Sequence, residues 1–130
     1  MGARKQKAAE ARKEALKSTY IAKLNNCPTS PRKMRLVADM VRGMDAYKAL
    51  SILQFTPKAA AGRLEKLISS AIANYEQKSG ASAGEANLYI KTIHVDSARQ
   101  LKRVQPAPQG RAHRVRKRSN HVTVILDTKA

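Results

Sequence analysis

Tryptophan is absent from this 130-residue chain, and aromatic surface is limited to Tyr20, Tyr47, Phe55, Tyr75 and Tyr89. That scarcity counts against recognition of single strands by bases stacked on a sheet. Cys27 is the only cysteine. It excludes an internal disulfide and a cysteine zinc cluster, and it suits a reducing cytoplasm. No stretch approaches the roughly 20 apolar residues of a spanning helix. The opening "MGARKQKAAEARKEALK" has no apolar h-region, so no secretory signal is expected. Glu10 and Glu14 argue against a transit peptide, and Gln6 stands where myristoylation prefers Ser or Thr. His94, His113 and His121 lack zinc spacing. His94 and Asp96 share one side of a strand-like run, with Ser97 next. Polar residues at a strand end explain them, because no motif sets a nucleophile on a strained turn. No Gly-rich phosphate loop is present. No catalysis, metal or cofactor is expected.

Acidic residues are the other shortage. Nine Asp plus Glu face 26 Lys plus Arg, a formal net charge of +17. Self-repulsion of that size opposes compaction, and a polyanionic partner accounts for it. Nucleic acid leads, with an anionic membrane surface second. The membrane reading lacks an amphipathic helix with bulky apolar anchors.

The length fits one domain. Residues 1–17 are rich in Ala, Lys, Arg and Glu. They form a basic extension with helix propensity but a thin apolar face of Ala8, Ala11 and Ala15. The expectation is an arm disordered or frayed when free and helical when bound. Residues 18–130 form the domain. A short strand is expected over Ser18–Leu24 and a loop over Asn25–Pro31. Ser30 then Pro31 signal a helix start, and Met34, Val37, Ala38 and Val41 follow at helical spacing up to Gly43. Asp45 is expected to cap a second helix with Ala46, Ala49, Leu50 and Leu53 on its apolar face. Thr56–Pro57 repeats the start signal for a third helix, apolar at Ala60, Leu64, Leu67, Ile68, Ala71, Ile72 and Tyr75 and ending near Gly80.

After the small-residue loop Gly80–Asn87, "LYIKTIHVD" reads as a strand whose alternation slips. A bulge or strong twist near Lys91 would reconcile its two halves. "HVTVILD" alternates cleanly at Val122, Val124 and Leu126. The expected class is α+β: three helices on a small antiparallel sheet, with a long protruding β-hairpin over about 97–119.

That hairpin holds the densest charge. Arg99, Lys102, Arg103, Arg111, Arg114, Arg116, Lys117 and Arg118 fall in 20 residues, and no acid lies between Ser97 and Leu126. A solvated face normally mixes signs, and this one does not. Arginine predominates, and its planar fork grips phosphate with two bonds. Pro106 and Pro108 stiffen the tip, and Gly110 permits a turn. Two arms of about ten residues would project about 30 Å. A ribbon without an apolar face is marginal in water, so this one suits burial inside a polyanionic partner. Arg32, Lys33 and Arg35 make a second candidate patch. The rival reading is an architectural DNA-binding protein with a basic β-ribbon in a groove. That class usually needs a symmetric dimer, and no spare apolar face is visible for one, so no homo-oligomer is expected.

"SPRKMRLVADMVRG", "SAIANYE" and "IHVDSARQLKRVQPAPQGRAHRVRKRSNHVTVIL" together resemble the bacterial large-subunit ribosomal protein twenty-two family, over about Tyr20–Asp127. The most specific part is Lys102-Arg103, Pro106, Gly110-Arg111-Ala112 and Lys117 through Val124. The resemblance implies a non-catalytic constituent of the cytoplasmic ribosome that binds large-subunit ribosomal RNA and aids assembly. It implies neighbouring ribosomal proteins and the nascent peptide as further partners. It also implies a hairpin lining the peptide exit tunnel, with Leu101, Gln105, Pro106, Ala107, Pro108, Gln109 and Gly110 in the wall. The chain departs from the family's pattern at Ala107-Pro108, where arginine often follows the proline, and in the basic arm before Ser18.

Overall fold

Apolar residues recur at helical spacing from Ala60 to Tyr75, and that stripe makes the longest helix, on which the core is built. The computed structural model describes residues 2–17, 19–84 and 86–129. Their order is α1 (Gly2–Lys17), β1 (Tyr20–Cys27), α2 (Pro31–Val41), α3 (Ala46–Gln54), α4 (Ala61–Ser79), β2 (Leu88–Ser97), β3 (Leu101–Pro106), β4 (Ala112–Lys117) and β5 (Asn120–Thr128). β1, β5 and β2 form an antiparallel sheet in that spatial order, and β3 pairs with β4 in a separate ribbon. The class is α+β, as expected. α4 packs on β1 and β5, α2 on β2 and β5, and α3 on α4 and β2. Met34, Val37, Leu53, Leu64 and Ile68 from the helices share one buried cluster with Ile90, Ile93, Val122, Val124 and Leu126 from the sheet.

The slip in β2 is resolved by a bulge. The register shifts between Ile90 and Thr92, so Lys91 is an extra residue and Leu88, Ile90, Ile93 and Val95 are all buried. Lys91 points to solvent, where its Nζ lies 2.6 Å from Asp127 Oδ2. The hydrogen bond from Lys91 holds the Asp127 carboxyl below its ordinary range, and the same bond raises Lys91. A lowered folded-state pKa stabilises above the carboxylate's ordinary titration range. That contribution disappears as pH falls through the lowered value. It is small, because the pair is exposed. In Lys91→Gln, NMR titration should show the Asp127 carboxyl moving up toward an ordinary value; an unmoved titration would refute the pairing.

Two boundaries and one cap differ from expectation. Ser18, where the first strand was expected to begin, lies outside the described residues, and the strand runs on past Leu24 to Cys27. Pairing survives because the register shifts between Leu24 and Cys27, where Asn26 adopts φ 52° and Cys27 pairs with Asn120. Thr56–Pro57 does not start the third helix. The Thr56 hydroxyl donates to the Ile52 carbonyl at 2.7 Å, closing the end of α3, and a turn over 58–61 precedes α4. Ser30 makes no side-chain capping bond; its carbonyl accepts from Met34 N–H at 3.1 Å. Asp45 does cap α3, its Oδ1 accepting from Tyr47 and Lys48 N–H at 3.0 and 3.3 Å.

The α2–α3 connection protects an edge. Gly43, at φ +73°, lets the chain turn so that its N–H donates to the Ile90 carbonyl, while Ile90 N–H donates to Met44. Those bonds occupy part of the free side of β2. α1 is a fourth helix, with every side chain from Arg4 to Leu16 exposed. Its C-terminal end is tied down: Lys78 Nζ donates to the Leu16 and Thr19 carbonyls at 3.4 and 2.8 Å, and Thr19 Oγ1 donates to Ala15 at 2.6 Å.

Candidate nucleic-acid interface

The second basic patch begins where Pro31 opens α2. Arg32 and Arg35, three residues apart, face the same side of the helix. The Arg35 guanidinium also donates through Nε and Nη2 to the Val95 carbonyl, at 3.3 and 3.0 Å, and so fastens α2 to β2. Arg32 and Arg35 line a cleft with Ser30, Pro31, Ser97 and Arg118. The cleft joins the start of α2 to the base of the hairpin. Lys33 turns away, into a groove with Thr29, Leu36 and Lys58. The expected trio therefore divides, with two members facing the hairpin and one beside Lys58.

Residues that do not touch solvent much hold this junction. Asn120 is fully buried, and its Nδ2 donates to the Thr29 carbonyl at 2.5 Å. Arg63 Nη1 donates to Thr29 Oγ1 at 2.6 Å and to Cys27 Sγ at 3.0 Å. Asn120 pins the 28–30 loop, and with it the first turn of α2, to the start of β5, and Arg63 pins it to α4. Sequence reasoning missed Arg63, Thr29 and Asn120. The only signal was polarity at the end of an alternating strand, and the partners are far apart in the chain.

The ribbon itself is exposed along β3 and nearly so along β4. Its register pairs Leu101 with Lys117, Lys102 with Arg116, Arg103 with Val115, Val104 with Arg114, Gln105 with His113 and Pro106 with Ala112. Side chains alternate between faces. One face therefore carries Lys102, Arg116 and Arg114, and the other Arg103 and Lys117. Lys102 and Arg116 sit directly opposite one another, an arrangement that destabilises an isolated ribbon. Val104 is 70% exposed and Leu101 49%, so no core opposes the repulsion. At the tip Ala107 N–H donates to the Arg111 carbonyl at 2.9 Å, and Gln109 and Gly110 both take left-handed backbone at φ 62° and 69°.

Gln105 through Gly110 are thus gathered at the turn. Leu101 is not; it begins β3, five residues and about 17 Å from Pro106. Nor is the hairpin continuous from 97 to 119. The body's ladder ends at Ser97–Asn120, Ala98 N–H donates to the Ser119 carbonyl, and the ribbon's ladder resumes at Leu101–Lys117. Arg99 is exposed in that gap and Arg118 lies on its other side.

The basic ribbon on a one-sided α+β body can be set beside known proteins. A family model described as ribosomal protein L22p/L17e matches residues 22–127, which takes in the body from β1 onward and both ribbon strands. The chain belongs to this family. The family is structural and non-enzymatic. A protein of Parabacteroides distasonis called large ribosomal subunit protein uL22 is 62% identical over 128 residues, covering 98% of this chain and 94% of the relative. Proteins of the same name from Flavobacterium johnsoniae and Bacteroides fragilis are 63% and 60% identical, with 97% and 100% of this chain covered and 93% and 96% of theirs. The family span leaves out α1.

Proposed function

We propose that this protein is a structural constituent of the large ribosomal subunit in the cytoplasm. It binds large-subunit ribosomal RNA, aids assembly beside neighbouring ribosomal proteins, and lines the nascent-peptide exit tunnel with its hairpin tip. The observation that carries the RNA reading is the two-faced ribbon. Cations project from both faces and no apolar surface holds the strands, so the partner must supply anionic contacts on both sides. A ribbon laid in one groove of duplex DNA would need cations on one face only, which weakens the architectural DNA reading. Folded RNA, with its irregular cavities, meets the requirement.

The RNA contacts are assigned to Arg99, Lys102, Arg103, Arg111, Arg114, Arg116, Lys117 and Arg118, with Arg32, Lys33 and Arg35 at the body. The tunnel reading rests on family membership and on the tip. Gln105, Ala107, Gln109 and Gly110 are uncharged, and Pro106 and Pro108 limit motion. A growing chain would pass them without meeting a bare charge cluster. Leu101 keeps its place in the wall only if the wall extends down β3. The test is a map of large subunits purified from cells making this protein. The ribbon should lie inside RNA with 105–110 facing the tunnel; a ribbon on the solvent face would overturn the reading.

A further inference from the structure

α1 plays no part in the function proposed above. It is a 16-residue helix, about 24 Å long. Helices of that length are marginal alone in water, and no described side chain from 4 to 16 is covered by the body. At 100° per residue Arg4, Lys5, Arg12 and Lys13 spread over one half of the helix, with Ala8, Ala9, Ala15 and Leu16 among them, while Glu10 and Glu14 lie on the other half beside Lys7. Ala8, Ala9 and Ala15 leave little side-chain bulk between the cations to keep a partner's backbone away. The two cation pairs are eight residues apart, about 12 Å along the axis.

Position adds a second observation. Tyr20 pairs with Leu126 and Leu88 with Thr128 at one end of the body sheet, whereas Cys27 and Ser97 both pair with Asn120 at the other. α1 is tethered through Thr19 and Lys78 at the first end. The ribbon leaves from the second. The eight steps of β5 between them span about 26 Å.

We propose that α1 is a second RNA-binding element, laid along sugar–phosphate backbone through its Arg4, Lys5, Arg12 and Lys13 side, at a site distinct from the ribbon's. This rests on the RNA-binding reading of the ribbon. RNA is favoured over an acidic protein surface because, among the described residues, the one large apolar side chain on that side is Leu16 at the helix's end, too little for a protein interface, whereas four cations spaced among alanines suit phosphates. Two contacts carried by one chain make the second binding event intramolecular and raise overall affinity.

The test uses the full chain and large-subunit ribosomal RNA. Alanine at all four positions (Arg4→Ala, Lys5→Ala, Arg12→Ala, Lys13→Ala) preserves helix propensity. It should lower the slope of log affinity against log salt by about 3. Glu10→Gln with Glu14→Gln should not weaken binding. A photo-crosslinking amino acid at Ala8 should attach to an RNA segment different from the one reached from Val104. An unchanged slope in the fourfold variant, beside a lowered slope in a ribbon variant, overturns the proposal and leaves the RNA reading standing. So does attachment from Ala8 to a protein, or to the ribbon's own RNA segment. If ribbon and helix variants both bind as the parent does, the RNA reading falls and this proposal with it.

Discussion

Glutamine at Arg103, Arg111, Arg114, Arg116 and Lys117 will sharply cut the salt dependence of RNA binding. Each phosphate contact contributes roughly −0.7 to −0.9 to the slope of log affinity against log salt, so five should remove about 3.5–4.5. Over a fourfold rise in salt the parent should then lose about 130–500-fold more affinity than the variant. The substitutions span both ribbon faces, Arg103 and Lys117 on one, Arg114 and Arg116 on the other, with Arg111 at the turn. Substituting the Arg103 and Lys117 face alone should give an intermediate slope if both faces meet phosphate. Titration on a large-subunit RNA fragment measures this. A slope unchanged by all five would remove the ribbon from the interface.

The second large effect separates body from ribbon. Leu64 is fully buried in the first turn of α4, and Leu64→Ala should destabilise the free protein by about 2–5 kcal/mol. Replacing Gln100–Lys117 with Asn-Gly should instead leave it folded, because no residue from 101 to 117 belongs to the buried core. The geometry favours this excision. Ala98 N–H already donates to the Ser119 carbonyl, so Arg99 and Arg118 would flank a two-residue turn of the preferred hairpin kind. Chemical denaturation compares the two variants. An unfolded excision variant would show that the ribbon is part of the scaffold.

Much of the body was legible because burial imposes a period. Leu64, Leu67, Ile68, Ala71, Ile72 and Tyr75 recur at helical spacing, and all six are buried. Even the bulge at Lys91 could be inferred, since a strand with one buried face cannot change phase without an extra residue. Local chemistry was less reliable. Thr56 before Pro57 carries a start signal, yet its hydroxyl finds the Ile52 carbonyl one turn back. A hydroxyl can serve the helix behind it as well as the one ahead, and composition does not distinguish them.

The charge of the site was also plain, but its geometry was not. A run of arginines says nothing about which faces they take until the register pairs Arg103 with Val115 and Lys102 with Arg116. Lys33 looked equivalent to Arg32 and Arg35 by sequence, and one residue of helical rotation sent it to another groove. Arg63 and Asn120 were illegible because their partners, Cys27 and Thr29, come from a distant part of the chain.

The cations on both faces of the ribbon bear on departure as well as arrival. A protein held in one groove can peel away sideways, releasing its contacts a few at a time. A rod gripped on two faces has no sideways route. It leaves only by sliding out along its length, with the bent tip at Gln109–Gly110 drawn through last, or after the surrounding RNA opens. On the proposed RNA-enclosed reading, exchange of this protein out of a finished particle should be governed by the opening of that enclosure, and should be far slower than its equilibrium affinity for naked RNA would suggest.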